Sequence, residues 1–514
     1  MPSQPLWATP RTVALIIAGY LLMHLGVRLW MGATLGFDDA EQALFAQHWL
    51  PSYRLRGPPL FTWALLAISP VAGIGVVAVS LLRYALLAMV LGFTYLTARR
   101  LLRDPTLAAL AAFSFTAIYV FGYYSHHDLT HTTVLSAFLA AGWYVFVRLC
   151  ETPRLGWYLA LGLCFGLGTL GKWNFAIFAV ALPLACLVQP GYRPLVLNWR
   201  IVPAALVAAA IALPPAIWAL AMGAAPGDGI GEVLGQQSGS LPAILAKGTA
   251  SLALAVLAYP QPFLVIFLVA FGAAAWVGLR RAEPAPQVTQ PVPDTRLIGM
   301  AMAIALGLHW LLVPVAGATQ FPERLMQPAL MILPIWLFML VDRSGMPFAR
   351  AAGRYALALA VVAGVALLAR VGLHAAGGDY CRRVCRDLLP AAELAAGLRN
   401  AGFQGKGTIV VRDMHLGGNL RVQFPDARVI DIGYPARVWP RPSGTGQCLA
   451  IWTEYSGPVE QTRDRVYAYL ARELGVALDV RRREGEVSAT LHRAKTRSYR
   501  LFYGLYDGPQ GDCR

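Results

Sequence analysis

The sequence predicts an α-helical protein that crosses a membrane many times and carries a small α/β domain at its C-terminal end. Three observations predict this class. Apolar residues make up 57% of the 514 and charged residues 14%, with a mean hydropathy of +0.54, far more apolar than a soluble domain of ordinary composition. Apolar windows recur at the length a bilayer requires, roughly 17 to 25 residues. After residue 374 the composition turns to that of a soluble domain.

Taken in order, the windows place spans near 12–30, 81–98, 105–123, 129–149, 156–171, 173–189, 200–222, 257–279, 297–316, 325–341 and 354–373, about eleven in all. The first follows a lone Arg11 with no small-residue cleavage site, so it reads as an uncleaved span. The stretch 155–189 is too long for one span, and Gly171-Lys172-Trp173-Asn174 invites a tight hairpin within it. With the N-terminus inside, the cytoplasmic loops carry Arg99, Arg100 and Arg103, then Arg148 and Arg154, Arg193 and Arg200, Arg280, Arg281 and Arg296, and Arg343, Arg350 and Arg354. The alternate loops are nearly free of positive charge: 124–131 has none, 223–250 only Lys247 and 317–324 only Arg324. Basic loops on one side are the signature of cytoplasmic orientation, and they account for the net charge of +16 without nucleic acid, for which no recognition motif is present.

An odd number of spans then puts the first loop, 31–80, and the region 374–514 outside the cytoplasm, as in a bacterial-type inner membrane with the domain in the periplasm. Residues 1–373 form the transmembrane domain, with a Pro-rich cytoplasmic linker over 281–296. In 374–514, strand-like runs fall at 408–411, 427–432 and 448–453 and a helix-like stretch at 459–474, the pattern of a small α/β domain. No glycine-rich nucleotide loop accompanies them. Cys381, Cys385, Cys448 and Cys513 lie in this polar region and are expected to form disulfides if it faces an oxidising compartment. A metal half-site at Cys381 and Cys385 is the alternative, without a matching pair at zinc spacing.

Two polar stretches outside the membrane stand out. The first is "GFDDAEQALFAQHW", in which Asp38 and Glu41 have the spacing of an N-cap and its reciprocal partner. Ala40, Leu44, Phe45, His48 and Trp49 then fall on one face of an interface-lying helix. Capping leaves Asp39 unexplained. The second is "YYSHHDLTH", with Tyr123, Tyr124, His126, His127, Asp128 and His131 and no basic residue. Helix capping by Asp128 and metal ligation, with a carboxylate from the first loop, are both compatible with it. Acidic residues in both loops, with Arg54 and Arg56 close behind the first, are what transfer of a sugar from a lipid phosphate needs. A carboxylate takes the proton of the acceptor hydroxyl, and cations hold the departing phosphate.

The stretches "FDDAEQALFAQHW", "PPLFTW", "LLRYALLAMVLGFTYLTARRL" and "GLGTLGKWNF", in this order, resemble the polyprenyl-phosphate-sugar glycosyltransferases of the GT-C fold. The branch they resemble contains the protein O-mannosyltransferases and the lipid A aminoarabinose transferase. The resemblance covers residues 10–190, the later spans in pattern, and the C-terminal domain hardly at all. It implies an essential acidic residue in the first outside loop, Asp38 or Asp39, and a second in the next, Asp128. Members with a Lys-Pro-Pro-like element place that lysine near the lipid phosphate, whereas this chain has Gly57 there. Phosphate binding is therefore shared among Arg54, Arg56, Lys172 and Arg324; Lys172 also reads as a snorkelling interfacial lysine. Glu41, Tyr53 and His127 complete the polar residues expected near the site.

The implied reaction is an inverting displacement from a polyprenyl-phosphate sugar to a hydroxyl of a glycolipid, lipopolysaccharide or other envelope glycan, with no cofactor expected and a divalent metal as the alternative. A protein hydroxyl is the runner-up acceptor. A lipid or solute transporter, which would carry charges within symmetric broken spans, and a ligand-binding sensor are the readings from other classes.

Overall fold

The computed structural model describes residues 5–54, 57–222, 234–235, 239–281, 292–381, 386–441, 446–476, 481–506 and 513. Arg56, Cys385 and most of the Pro-rich linker lie outside them. The chain divides into two compact units: Met1–His24, Leu55–Leu60 and Arg83–Leu368 form one, and Leu25–Arg54, Phe61–Leu82 and Ala369–Arg514 the other.

Among the described residues, 8 helices are long and apolar enough to cross a membrane: Pro10–Trp30, Val76–Leu101, Thr130–Glu151, Ile201–Met222, Leu241–Ala258, Phe263–Arg280, Thr295–Ala316 and Ala349–Ala375. The protein is thus a multi-pass membrane protein. Leu155–Gly171 and Phe175–Val188 are shorter apolar helices that meet at the expected hairpin.

Two expected spans are broken. The window 105–123 holds the helix Pro105–Phe113, a 3-10 turn Ser114–Ala117 and the turn Tyr119–Gly122. Ile118 between them is extended, because the Tyr119 N–H donates to the Gln261 carbonyl at 3.0 Å instead of continuing the helix. The window 325–341 splits into Gln327–Leu330 and Leu333–Ser344, each with a proline in its first turn, where a missing N–H costs nothing.

The loops of the first unit sort to two ends. At one, Arg100 bonds Glu151 at 3.2 Å, Arg200 the Pro153 carbonyl at 3.2 Å, the Arg103 N–H reaches Asp342 at 3.0 Å, and Arg281 reaches the Arg343 carbonyl at 3.0 Å. These are the basic loops. At the other end, Tyr119 is joined to Gln261, Lys172 to Thr132, Asn174 to the Leu325 carbonyl and Thr319 to the Leu234 carbonyl. Leu241–Ala258 begins within the stretch 223–250 that was expected to be a loop. Its middle is held at this second end, where Phe321 N–H donates to Ser251 at 2.9 Å and Gly248 packs against the Ala318 carbonyl so closely that a Cβ would sit 2.4 Å from the oxygen. Its last turn leads to Gln261, which bonds Tyr119 at the same end.

The second unit contains a five-stranded sheet in the order β2-β1-β3-β5-β4, with β1 Gly407–Val411, β2 Ala427–Asp431, β3 Gln447–Thr453, β4 Arg482–Thr490 and β5 Ser498–Tyr506. The first three strands are parallel, with Ile409 and Val429 paired and both buried, while β5 runs antiparallel beside β3 and β4 antiparallel beside β5 at the edge. The helix Met414–Gln423 connects β1 to β2, and Val459–Leu474 lies between β3 and β4. Sequence pattern found the buried parallel strands but not β4, whose "RREGEVSAT" is an edge strand rich in charge, nor its partner β5. Cys448 and Cys513 form a disulfide, and Cys381 is also disulfide-bonded.

Candidate active site

The acidic stretch of the second unit forms the helix Phe37–Phe45, which starts after Gly36 and not at Asp38. The N-cap is Gly36, so Asp38 does not hold the N-cap position that its spacing to Glu41 suggested. Starting two residues earlier, the helix holds both aspartates in its first turn, where the partial positive charge of the helix N-terminus favours carboxylates. Asp38 is half-buried and Asp39 is 2% exposed.

Glu41 has a different task. Its carboxylate meets Arg54 at 2.6 Å, and the same guanidinium donates to the Tyr434 hydroxyl at 3.3 Å. Burial raises the Tyr434 phenol well above its ordinary range, with the Arg54 charge opposing and the Glu41 charge adding, so the phenol keeps its proton. Tyr53 also stays protonated through burial and donates to the His48 carbonyl at 2.7 Å. Its ring stacks on Phe45 at 5.3 Å, which folds the segment back along the helix. Arg54, expected on the donor phosphate, therefore has its charge matched by a buried carboxylate within the unit.

His127, Asp128, Lys172 and Arg324 belong to the first unit, at the end where the non-basic loops meet. The N-cap of the helix Thr130–Glu151 is Leu129, one residue after Asp128, at φ 71, ψ 46. A left-handed conformation costs a residue with a Cβ roughly 1–2 kcal/mol, and strain of this kind collects at functional sites. Leu129 is 4% exposed, so its packing holds the turn that directs Asp128. Beside it, His126 accepts or donates a 2.9 Å bond with the Tyr20 hydroxyl and stacks on His24 with ring centroids 3.7 Å apart.

The remaining members come together through Leu325. Lys172 donates to Thr132 at 3.0 Å, in the first turn of the helix that follows Asp128. Asn174, two residues on, donates to the Leu325 carbonyl at 3.4 Å, and His309 bonds the same oxygen at 2.9 Å. Arg324 is thereby held next to the Lys172 hairpin. It is half-buried, and among the described residues its guanidinium forms no hydrogen bond or ion pair. No group of three or more His, Cys, Asp or Glu side chains among the described residues is arranged to hold a metal ion.

Sequence reasoning passed over Arg83, 1% exposed within the helix Val76–Leu101. A lone arginine in "VVAVSLLRYALLAMV" is the signal that could have found it, because a charge kept inside a span is costly without a function. Leu129 left no signal, since nothing in a leucine predicts a left-handed backbone.

Comparison with known proteins adds an independent line. The family described as dolichyl-phosphate-mannose-protein mannosyltransferase matches residues 56–218. Two lipopolysaccharide core galacturonosyltransferases of Rhizobium johnstonii are similar along most of the chain. RgtA is 29% identical over 86% of this chain and 87% of its own length, and RgtB 29% identical over 90% and 91%. Among solved structures, ArnT from Cupriavidus metallidurans superposes with a TM-score of 0.53 at 14% identity, covering 96% of this chain and 97% of that one. The same protein bound to undecaprenyl phosphate gives a TM-score of 0.53 at 15% identity, over 98% and 100%. The match runs well past residue 190 and takes in the C-terminal domain.

Proposed function

We propose that this chain, a multi-pass membrane glycosyltransferase of the GT-C fold, transfers a uronic acid from a polyprenyl phosphate to a hydroxyl of the lipopolysaccharide core. The observation that carries the acceptor and the sugar is that both relatives similar along most of the chain are named as lipopolysaccharide core galacturonosyltransferases. A donor on a polyprenyl phosphate is supported by the neighbour solved with undecaprenyl phosphate. A protein hydroxyl is the second reading, favoured by the name of the family that matches 56–218.

In the proposed reaction the acceptor oxygen forms a bond to the anomeric carbon while the bond from that carbon to the phosphate oxygen breaks, which inverts the anomeric configuration. The acceptor proton passes to a carboxylate. Between the two candidates, accessibility favours Asp38, half-buried, over Asp39 at 2% exposure. Asp128, on its strained turn, is assigned to orient the acceptor. Lys172 and Arg324 are assigned to the leaving phosphate, Arg324 first because its charge is unmatched among the described residues. These side-chain cations stand where nucleotide-sugar enzymes often use a metal, and the proposal requires none.

The reaction is proposed for the periplasmic face. The gathering of the basic loops at one end of the first unit fits the positive-inside rule, and the Cys448–Cys513 disulfide fits an oxidising compartment. The test is to supply membranes containing the protein with radiolabelled polyprenyl-phosphate galacturonate and lipopolysaccharide lacking that sugar. Label is expected in the lipopolysaccharide. Label in the protein fraction would favour the second reading, and no transfer from any polyprenyl-phosphate sugar would end both.

A further inference from the structure

The helix Phe37–Phe45 has 9 residues, fewer than an isolated helix needs to persist in water. Its direction must come from what it packs on. Within the second unit, that support is supplied by the segment 415–429 of the C-terminal domain.

The chain entering the helix is fixed at Leu35, whose N–H donates to the Asn419 side-chain oxygen at 2.9 Å. The Leu35 carbonyl accepts from the Asn419 amide at 3.2 Å and from His415 Nε2 at 2.9 Å. Both donors are buried, Asn419 at 2% and His415 at 3% exposure. The helix body is fixed at Ala40, whose carbonyl lies so close to Gly418 that a methyl group there would come within 1.9 Å of the oxygen. The chain leaving the helix is fixed at Gln47. Its amide accepts from the Val429 N–H at 2.9 Å and donates to the Val429 carbonyl at 2.8 Å, as a neighbouring strand would at the exposed edge of β2. Asp38 sits between the first two of these anchors, three residues after Leu35 and two before Ala40.

We infer that the C-terminal domain serves the reaction as a positioning element: its Gly418, Asn419 and Val429, the last through Gln47, hold the Asp38–Asp39 turn in its productive direction. This rests on the catalytic reading of the aspartates, and the anchors themselves touch no substrate. Glycine is required at 418 because a side chain would push the helix away from the sheet domain. The same logic makes the domain inseparable from turnover, although it carries none of the proposed reacting groups.

The test measures kcat, the KM values and the pH dependence of kcat for Gly418→Ala, Asn419→Ala and Gln47→Ala in the full chain. Displacing a catalytic group by about 1 Å costs roughly 100-fold in rate. Gly418→Ala is therefore expected to lose about that much in kcat, with donor KM unchanged and the acidic limb of the pH profile shifted. Gln47→Ala leaves the close backbone approach intact, so it is expected to accumulate normally even if Gly418→Ala folds poorly, and to lose kcat with unchanged KM. Wild-type kcat in all three, or losses that follow protein yield alone, would overturn the inference. Asp38→Asn and Asp39→Asn, run alongside, separate the two failures: if neither amide variant loses turnover the catalytic reading is wrong, whereas if one does and the three anchor variants do not, only the positioning role falls.

Discussion

Asp38 and Asp39 are adjacent in sequence and differ in what surrounds them. Both gain from the helix N-terminus, so their presence alone has a structural explanation, but the half-buried Asp38 can reach a substrate in a way that Asp39, at 2% exposure, cannot. Asp38→Asn is expected to lose the roughly 100- to 10,000-fold that a general base contributes, while Asp39→Asn keeps the larger part of its turnover at equal protein level. Normal turnover in both would return these carboxylates to a purely structural role. The acidic stretch was legible in the sequence, but the task of Glu41 was not. Its partner, Arg54, comes from a turn that Tyr53 and the distant Tyr434 close, and no local spacing encodes that. Among the proposed cations, Arg324, whose charge is unmatched among the described residues, is the better test of phosphate binding. Arg324→Ala should weaken donor use by roughly 1.5–3 kcal/mol, the worth of a charge-assisted hydrogen bond, seen as a raised donor KM; an unchanged KM would move the leaving phosphate to Lys172 or elsewhere.

Elements built from one continuous apolar or amphipathic pattern matched their sequence reading, and those shaped by distant partners did not. The helix Ala349–Ala375 and the parallel strands of the sheet domain fall where pattern puts them. The window 105–123 fails because Gln261 captures the Tyr119 N–H, and Leu241–Ala258 follows one end of its unit because Ala318 and Phe321 hold its middle there. At the C-terminal end of β2, burial pushes the Asp431 carboxyl up to about 7; the Gly433 N–H at 2.8 Å lowers it, Asp413 raises it and Arg412 lowers it. Its ordinary value is 3.8, so between these limits the folded chain holds a proton that the unfolded chain has released. The resulting stabilisation is fully present below the lower limit and disappears as pH rises through the upper one. Asp431→Asn keeps the oxygen that Gly433 binds and should flatten this loss. Thermal unfolding of solubilised protein at pH 4, 5, 6 and 7 measures it, and an identical slope in the variant would contradict the assignment.

For the whole molecule, membrane character was the most legible feature, and the arginine-rich loops that sequence places on one side gather at one end of the first unit. The composition of the second unit was not legible: it joins Leu25–Arg54 and Phe61–Leu82 to Ala369–Arg514, segments far apart in sequence with no shared pattern. The topology predicts that a reporter active only in the cytoplasm stays silent when fused after residue 514, and an active fusion would reverse the orientation. Sugar transfer from a lipid phosphate is measured with purified protein in liposomes, counting polyprenyl phosphate released against sugar transferred. One polyprenyl phosphate is expected per sugar transferred from the lipid donor, with the anomeric configuration inverted in the product. Transfer sustained by a nucleotide sugar without any polyprenyl phosphate released, or with the configuration retained, would contradict it.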